Sequence, residues 1–177
     1  MELVELVSVS PGIVQEIIYA TEHNFLKKVL YSSPRCLLQK SVAERLHRVQ
    51  VGLKKRGLGL KIFDAYRPLS VQKVFWEFLP DPRYVADPAL GSKHNRGAAV
   101  DVTLIDREGR ELPMPTAVDV FSNKAHRDYM AGPKNLLENR QLLEDAMLGE
   151  EFIPLPTEWW HFDDPEWKTF PILDIPL

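Results

Sequence analysis

The strongest constraint on this chain is a set of polar groups in apolar, strand-like surroundings, which no fold can bury without partners. They lie in three separated segments: Asp64-Ala65-Tyr66-Arg67-Pro68, Ser92-Lys93-His94-Asn95-Arg96-Gly97-Ala98-Ala99-Val100-Asp101 and Glu158-Trp159-Trp160-His161. An unpaired carboxylate or imidazole in an apolar interior costs several kcal/mol. Two imidazoles and a carboxylate can satisfy one another around a metal, and this is a usual donor set for a catalytic zinc that keeps its fourth position open to water. His94, Asp101 and His161 are therefore the candidate zinc ligands. Glu158, three residues before the second histidine, is the candidate acceptor for the water's proton. Arg67 precedes a proline that holds it extended, and its guanidinium is the candidate partner for negative charge developing on a substrate.

Each segment alone carries little. His94 and Asp101 taken as a pair are equally a surface histidine and a turn-capping aspartate, and most Tyr-Arg-Pro triplets present a surface arginine. The small residues Gly97-Ala98-Ala99 would let the backbone pass close to a metal, and Asp101 would share a strand face with Thr103 while Val100, Val102 and Leu104 take the other. Glu158 and His161 raise a geometric difficulty. In a regular strand, residues three apart point to opposite faces. Both can reach one metal only if Glu158 lies at a bulge, a bend or the strand entry, and Pro156-Thr157 supplies a reason for one.

The rest of the chain reads as one α+β domain over residues 1–177, with a small central antiparallel sheet flanked by helices. Leu38, Val42, Leu46, Val49 and Leu53 recur at helical spacing and predict a helix from Leu38 to Arg56, stopped by Gly57. Leu58 to Tyr66 reads as a strand. Ser70 is placed to cap a short helix whose inner face carries Val71, Val74, Phe75 and Phe78. Leu79 to Gly91 is a loop, Val100 to Ile105 a strand, and Asp106 to Gly109 a hairpin turn into a strand over Arg110 to Met114. Pro133 opens a third helix carrying Leu136, Leu137, Leu143 and Met147, and Phe152 to Phe162 is the last strand.

Net charge is −3, and the longest basic run is Lys54-Lys55-Arg56, which argues against nucleic acid and anionic membranes as partners. The single Cys36 excludes an internal disulfide and a cysteine-rich zinc site, and it reads as a small packed residue. The acidic start, Met1-Glu2-Leu3-Val4-Glu5-Leu6, does not resemble a signal peptide, so the cytosol is the expected compartment. His47 is expected in solvent on the first helix, and His23 and His126 stand apart from the metal set.

At these residues the chain resembles the D-alanyl-D-alanine dipeptidases, a group within the zinc peptidases of the D-Ala-D-Ala type. Tyr19-Ala20-Thr21-Glu22-His23-Asn24-Phe25 looks like the family's Tyr-Ala-Thr-x-x-Asn-Phe segment, and Asp64 to Pro68 its Asp-x-Tyr-Arg-Pro turn. Ser92 to Asp101 fits Ser-x-His-x-x-Gly-x-Ala-x-Asp, and Glu158 to His161 its Glu-x-x-His. The resemblance implies one zinc on His94, Asp101 and His161, Glu158 as general base, and Arg67 stabilising the tetrahedral intermediate. It adds Tyr19 and Asp119 as partners of the substrate's free amino group and Ser92 as a contact to a small D-dipeptide. The short Leu79–Gly91 connection departs from the fuller family pattern and leaves open the strictness for dipeptides.

Two rivals stand beside a D-Ala-D-Ala dipeptidase. A peptidoglycan carboxypeptidase or endopeptidase of the same wider clan would not need the Asp119 clamp. A silent module with a structural zinc would need neither Glu158 nor Arg67.

Overall fold

The apolar stripe Val42, Leu46, Val49 and Leu53 does form the spine of a helix, and all four side chains are buried. The computed structural model describes residues 2–177. In chain order its regular elements are β1 (Leu3–Glu5), α1 (Leu6–Val9), β2 (Val14–Gln15), β3 (Leu37–Gln39), α2 (Lys40–Lys54), β4 (Gly59–Asp64) and α3 (Leu69–Phe78). There follow β5 (Ala99–Ile105), α4 (Lys134–Leu148), β6 (Ile153–Pro154) and β7 (His161–Asp163). Among the described residues no helix is long and apolar enough to cross a membrane.

The α+β class holds, with a correction to the sheet. It is neither small nor wholly antiparallel: five strands run in the order β2-β4-β5-β7-β6, and β2 pairs parallel to β4. A separate two-stranded sheet joins β1 to β3. That second sheet also moves the start of α2, because Leu38 and Gln39 leave the expected helix and join Leu37 in pairing with Leu3–Glu5. Helices α2 and α4 pack on each other, α2 against β4 and α4 against β5. Ile62, Val100, Val102, Leu104 and Phe162 join the helix stripes in a single buried cluster.

Three other expectations change. Ser70 does not cap α3: Pro68 holds that position, and the Asp174 carboxylate accepts from the Ser70 N–H at 2.8 Å and its hydroxyl at 2.7 Å. The inner face of α3 is Gln72 and Phe75, whereas Phe78 is 61% exposed. Arg110 to Met114 forms no strand and returns only as an isolated bridge from Glu111 to Ile105, although the preceding turn is present, with Gly109 at φ 79°. The expected last strand is two short ones, β6 and β7, separated by a bend over residues 155–160.

Two irregularities aim the sheet at the site. Ile62 faces Val102 across β4–β5, but the register shifts after Ile62 so that Asp64 faces Asp101. Such a bulge turns one side chain to the other face. Here it takes Asp64 off the core face and puts it beside Asp101. Gly97 closes the turn before β5 at φ 65°, and a Cβ there would lie 2.6 Å from Leu3 Cδ2 and 3.2 Å from Gln39 N. Glycine is needed for the left-handed turn and for the close pass of β3, not, as expected, for an approach to a metal.

Candidate active site

Strand β5 contributes Asp101, the 3-10 turn before it (His94–Arg96) contributes His94, and β7 contributes His161 directly across from Asp101. All three are buried, and one donor atom from each lies within 4.8 Å of the other two. His161 Nδ1 is 3.0 Å from Asp101 Oδ1 and 3.1 Å from His94 Nε2, and His94 Nε2 is 3.4 Å from Asp101 Oδ2.

The outer nitrogens decide what this trio can hold. His94 Nδ1 donates to the Ala65 carbonyl at 2.6 Å, and His161 Nε2 donates to Asp163 Oδ1 at 2.8 Å. A neutral imidazole has one N–H. With both outer positions protonated, the two inner nitrogens present lone pairs to each other and to a carboxylate. A cation is what such a trio lacks, and two nitrogens with one oxygen suit zinc. The same demand for positive charge appears in the acid–base balance. Burial works against protonation of His161, yet Asp163 and Asp101 push its pKa up to about 10. Burial likewise opposes the Asp101 charge, but His94 and His161 hold its carboxyl far below the usual range.

The bend between β6 and β7 resolves the spacing of Glu158 and His161. Glu158 sits within the bend, outside any strand, with its Oε2 4.0 Å from His161 Nδ1. Burial raises its pKa to about 8, helped by Asp101 and Asp119 and opposed by His161 and Arg67. A carboxyl poised near neutrality is suited to taking and returning a proton.

Arg67 is clamped from several sides. Its Nε and Nη2 donate to Asp64 Oδ2 at 3.0 and 2.7 Å, and its Nη1 donates to Gln72 Oε1 at 2.9 Å. The guanidinium stacks over Phe75, with its carbon 4.2 Å from the ring centre, and Nη2 lies 3.8 Å from Asp101 Oδ2. Burial disfavours its charge, but Asp64 together with Tyr19, Tyr31 and Asp101 more than compensates and raises its pKa. Tyr31 donates to the other Asp64 oxygen at 2.9 Å.

Tyr19 and Asp119 meet although they are a hundred residues apart: the Tyr19 hydroxyl donates to Asp119 Oδ2 at 2.9 Å. Tyr19 is fixed by the Leu30 and Tyr31 N–H groups, which donate to its carbonyl at 2.8 and 2.9 Å. Asp119 adopts φ 61°, a left-handed conformation that a side chain rarely takes, and one that concentrates at functional sites. Burial and the charge on Asp101 push its carboxyl up to about 7. Ser92 is buried, and its Oγ accepts from the His94 N–H at 3.2 Å.

The eight residues singled out from the sequence all line one pocket, with Phe25, Phe75, Tyr84, Phe121 and Trp160 among its walls. The Leu79–Gly91 connection supplies Pro82 to Ala86 as a further wall. It is pinned by Gln72 Nε2 donating to the Ala86 carbonyl and Thr157 Oγ1 to the Arg83 carbonyl, both at 2.7 Å. His23 is exposed and His126 pairs with the Tyr84 hydroxyl at 3.0 Å, so neither joins the trio. His47 is half-buried against the Ser10 hydroxyl at 3.1 Å, which corrects its expected place in solvent.

Reading the sequence alone missed the supports: Asp64 and Gln72 for Arg67, Tyr31 for Asp64, and Asp163 for His161. Asp163 had a legible signal, since residues two apart on a strand share a face. Gln72 had none, because a lone glutamine in an apolar helix stripe points to no partner.

A family model described as D-ala-D-ala dipeptidase matches residues 1–172. The chain is similar to the D-alanyl-D-alanine dipeptidase of Escherichia coli (strain K12), with 38% identity over 97% of this chain and 89% of the relative. It is 32% identical to the D-alanyl-D-alanine dipeptidase of Streptomyces coelicolor, over 98% of this chain and 95% of the relative. A solved structure of the LdcB LD-carboxypeptidase is similar with a TM-score of 0.48 and 21% identity, over 75% of this chain and 63% of that one.

Proposed function

This chain belongs to the D-Ala-D-Ala dipeptidase family of peptidases, and from that membership we propose that it hydrolyses D-alanyl-D-alanine with a zinc ion held by His94, Asp101 and His161. The observation that carries the reading is the meeting, in one pocket, of a cation-demanding trio with a near-neutral carboxyl, a buried guanidinium and a Tyr–Asp pair.

Zinc on those three donors would supply Lewis-acid activation of a water and of the scissile carbonyl. The chain's own residues do the rest. Asp119, aided by the Tyr19 hydroxyl, takes the substrate's ammonium group, which an internal residue of a longer peptide does not carry. Glu158 accepts the proton of the attacking water on a carboxylate oxygen and returns it to the leaving amine. Arg67 faces the oxyanion of the tetrahedral intermediate. Asp64, Gln72 and Phe75 fix its guanidinium in advance, so little reorganisation accompanies charge development. Ser92 shapes the turn that carries His94 and borders the dipeptide. The aromatic walls exclude bulk water and strengthen each of these electrostatic contacts.

Glu158→Gln tests this reading. It keeps size and much of the hydrogen bonding but cannot accept the proton. Zinc content and fold should stay near wild type while kcat for D-Ala-D-Ala falls by about 10²–10⁴. Loss of zinc would make Glu158 a ligand, and undiminished turnover would remove it from the mechanism and leave a silent zinc module as the better account.

A further inference from the structure

We propose that Arg127 is a positioning residue for Glu158: its guanidinium staples the two ends of the Leu155–His161 bend and so sets where the catalytic carboxylate stands. The proposal rests on the hydrolytic reading above and names a residue outside the pocket that the reaction depends on.

The bend is what allows Glu158 and His161, three residues apart, to reach one centre. Its internal hydrogen bonds are long: Leu155 N–H to the His161 carbonyl at 3.2 Å, Glu158 N–H to the Leu155 carbonyl at 3.4 Å, and His161 N–H to the Glu158 carbonyl at 3.4 Å. Backbone bonds of good strength lie nearer 2.9–3.0 Å. The middle of the excursion is tied by Thr157 Oγ1 to the Arg83 carbonyl at 2.7 Å, Trp159 Nε1 to Thr116 Oγ1 at 2.9 Å and the Val102 N–H to the Trp160 carbonyl at 3.0 Å, but none of these bridges its two ends. Arg127 adds three shorter bonds from a remote segment. Its Nε donates to the Leu155 carbonyl at 2.8 Å, its Nη2 to the His161 carbonyl at 2.9 Å, and its backbone N–H to the Pro156 carbonyl at 2.9 Å. The planar fork therefore spans both ends of the bend at once, which a lysine ammonium cannot reproduce.

Arg127 is itself held. Nη1 donates to Glu144 on α4 at 2.9 Å, and the guanidinium carbon lies 4.4 Å from the centre of the Phe162 ring. The neighbouring backbone is tied to the same helix, because Arg140 Nη1 donates to the carbonyls of His126 and Tyr129 at 3.1 and 2.8 Å. The line of support thus runs from α4 through Arg127 to the bend and Glu158. Arg127 makes no contact with the donor atoms of the trio and does not line the pocket. Its charge is felt by Glu158, but a lysine would keep that charge, so what the arginine alone adds is geometry, and a shift of about 1 Å in a reacting group can lower a rate by about 10²-fold.

The test compares Arg127→Ala and Arg127→Lys with wild type, all zinc-loaded. The expected result for Arg127→Ala is a fall in kcat for D-Ala-D-Ala of about ten- to a hundredfold, with KM and zinc content nearly unchanged. Millimolar guanidinium should restore part of that loss. Arg127→Lys keeps the charge but cannot bridge both carbonyls, so its kcat should stay close to that of the alanine variant. Amide hydrogen exchange at Leu155, Glu158 and His161 should quicken in both variants, whether or not the protein turns over. Should Arg127→Ala fail to fold, Arg127→Lys carries the test alone. Wild-type kcat in Arg127→Lys, or unchanged exchange across the bend, would overturn the proposal. Wild-type protein inert towards D-Ala-D-Ala would refute the hydrolytic reading instead, and the exchange data would still decide whether Arg127 holds the bend.

Discussion

Replacing Asp64 with Asn isolates the charge that keeps Arg67 buried. Both Arg67 bonds go to the same oxygen, Oδ2, at 3.0 and 2.7 Å, while the other oxygen accepts from Tyr31 at 2.9 Å. An asparagine with its carbonyl in the Oδ2 place keeps both bonds to Arg67, and the Tyr31 hydroxyl can rotate to accept from the new amide. Geometry survives, and the countercharge is lost. Asp64 is fully buried and Arg67 is 7% exposed, so solvent offers little screening. Removing one partner of a buried pair costs about 3–5 kcal/mol. The lower figure applies here, because Asp101 Oδ2 remains 3.8 Å from Arg67 Nη2. For a domain of this size each kcal/mol moves Tm by about 2–4 °C, so Asp64→Asn should lower Tm by about 6–12 °C. Tyr31→Phe, which removes one neutral hydroxyl bond, should lose only about 1 kcal/mol. Thermal unfolding of the metal-free proteins followed by circular dichroism measures both. A Tm for Asp64→Asn within about 2 °C of wild type would refute the claim that Arg67 depends on that charge.

Asp119 should impose a pH dependence on substrate affinity. Its carboxyl is raised to about 7, so below that pH it is protonated and cannot pair with ammonium. KM for D-Ala-D-Ala should rise about tenfold per pH unit below 7, and rise again above about 8 as the substrate's amino group loses its proton. N-acetylated D-Ala-D-Ala should turn over poorly and show neither limb; equal hydrolysis of both forms would favour a carboxypeptidase. Asp163→Ala should weaken zinc binding about 10–100-fold, measured by competition with a chelator, because His161 loses the acceptor that fixes its Nε2 proton. An unchanged zinc affinity in that variant would leave Asp163 without a role at the metal.

The residues that gather in the candidate site were more legible in the sequence than the scaffold that brings them together. His94, Asp101, Glu158 and His161 announced themselves because charged and polar groups interrupt apolar runs, and such groups need partners wherever they are buried. The helix stripe of α2 was equally readable. What escaped was whatever depends on pairing across the chain. Strands of two or three residues, such as Val14–Gln15 and Leu37–Gln39, carry no measurable period. The helical spacing of α3 marked a stripe but not its centre, which is rotated so that Gln72 and Phe75 point inward and Phe78 outward, and the Gln72 amide serves Arg67 and Ala86. Tyr19 and Asp119 emerged only through the family resemblance, since neither sits in a pattern that composition would mark.

Asp101 and His161 stand opposite each other on adjacent strands, Val100 opposite Phe162 in the next position of the same ladder. Sliding β7 along β5 by a single residue would carry one donor to the helix-covered side of the sheet. The side chains that forbid this slip are Val100, Val102 and Phe162, none of which lines the pocket. The apolar alternation of two strands is thus also the ruler for ligand spacing. Ion uptake by this chain would then report native strand registry, and a core substitution that loosens the ladder would announce itself first as a poorly loaded protein.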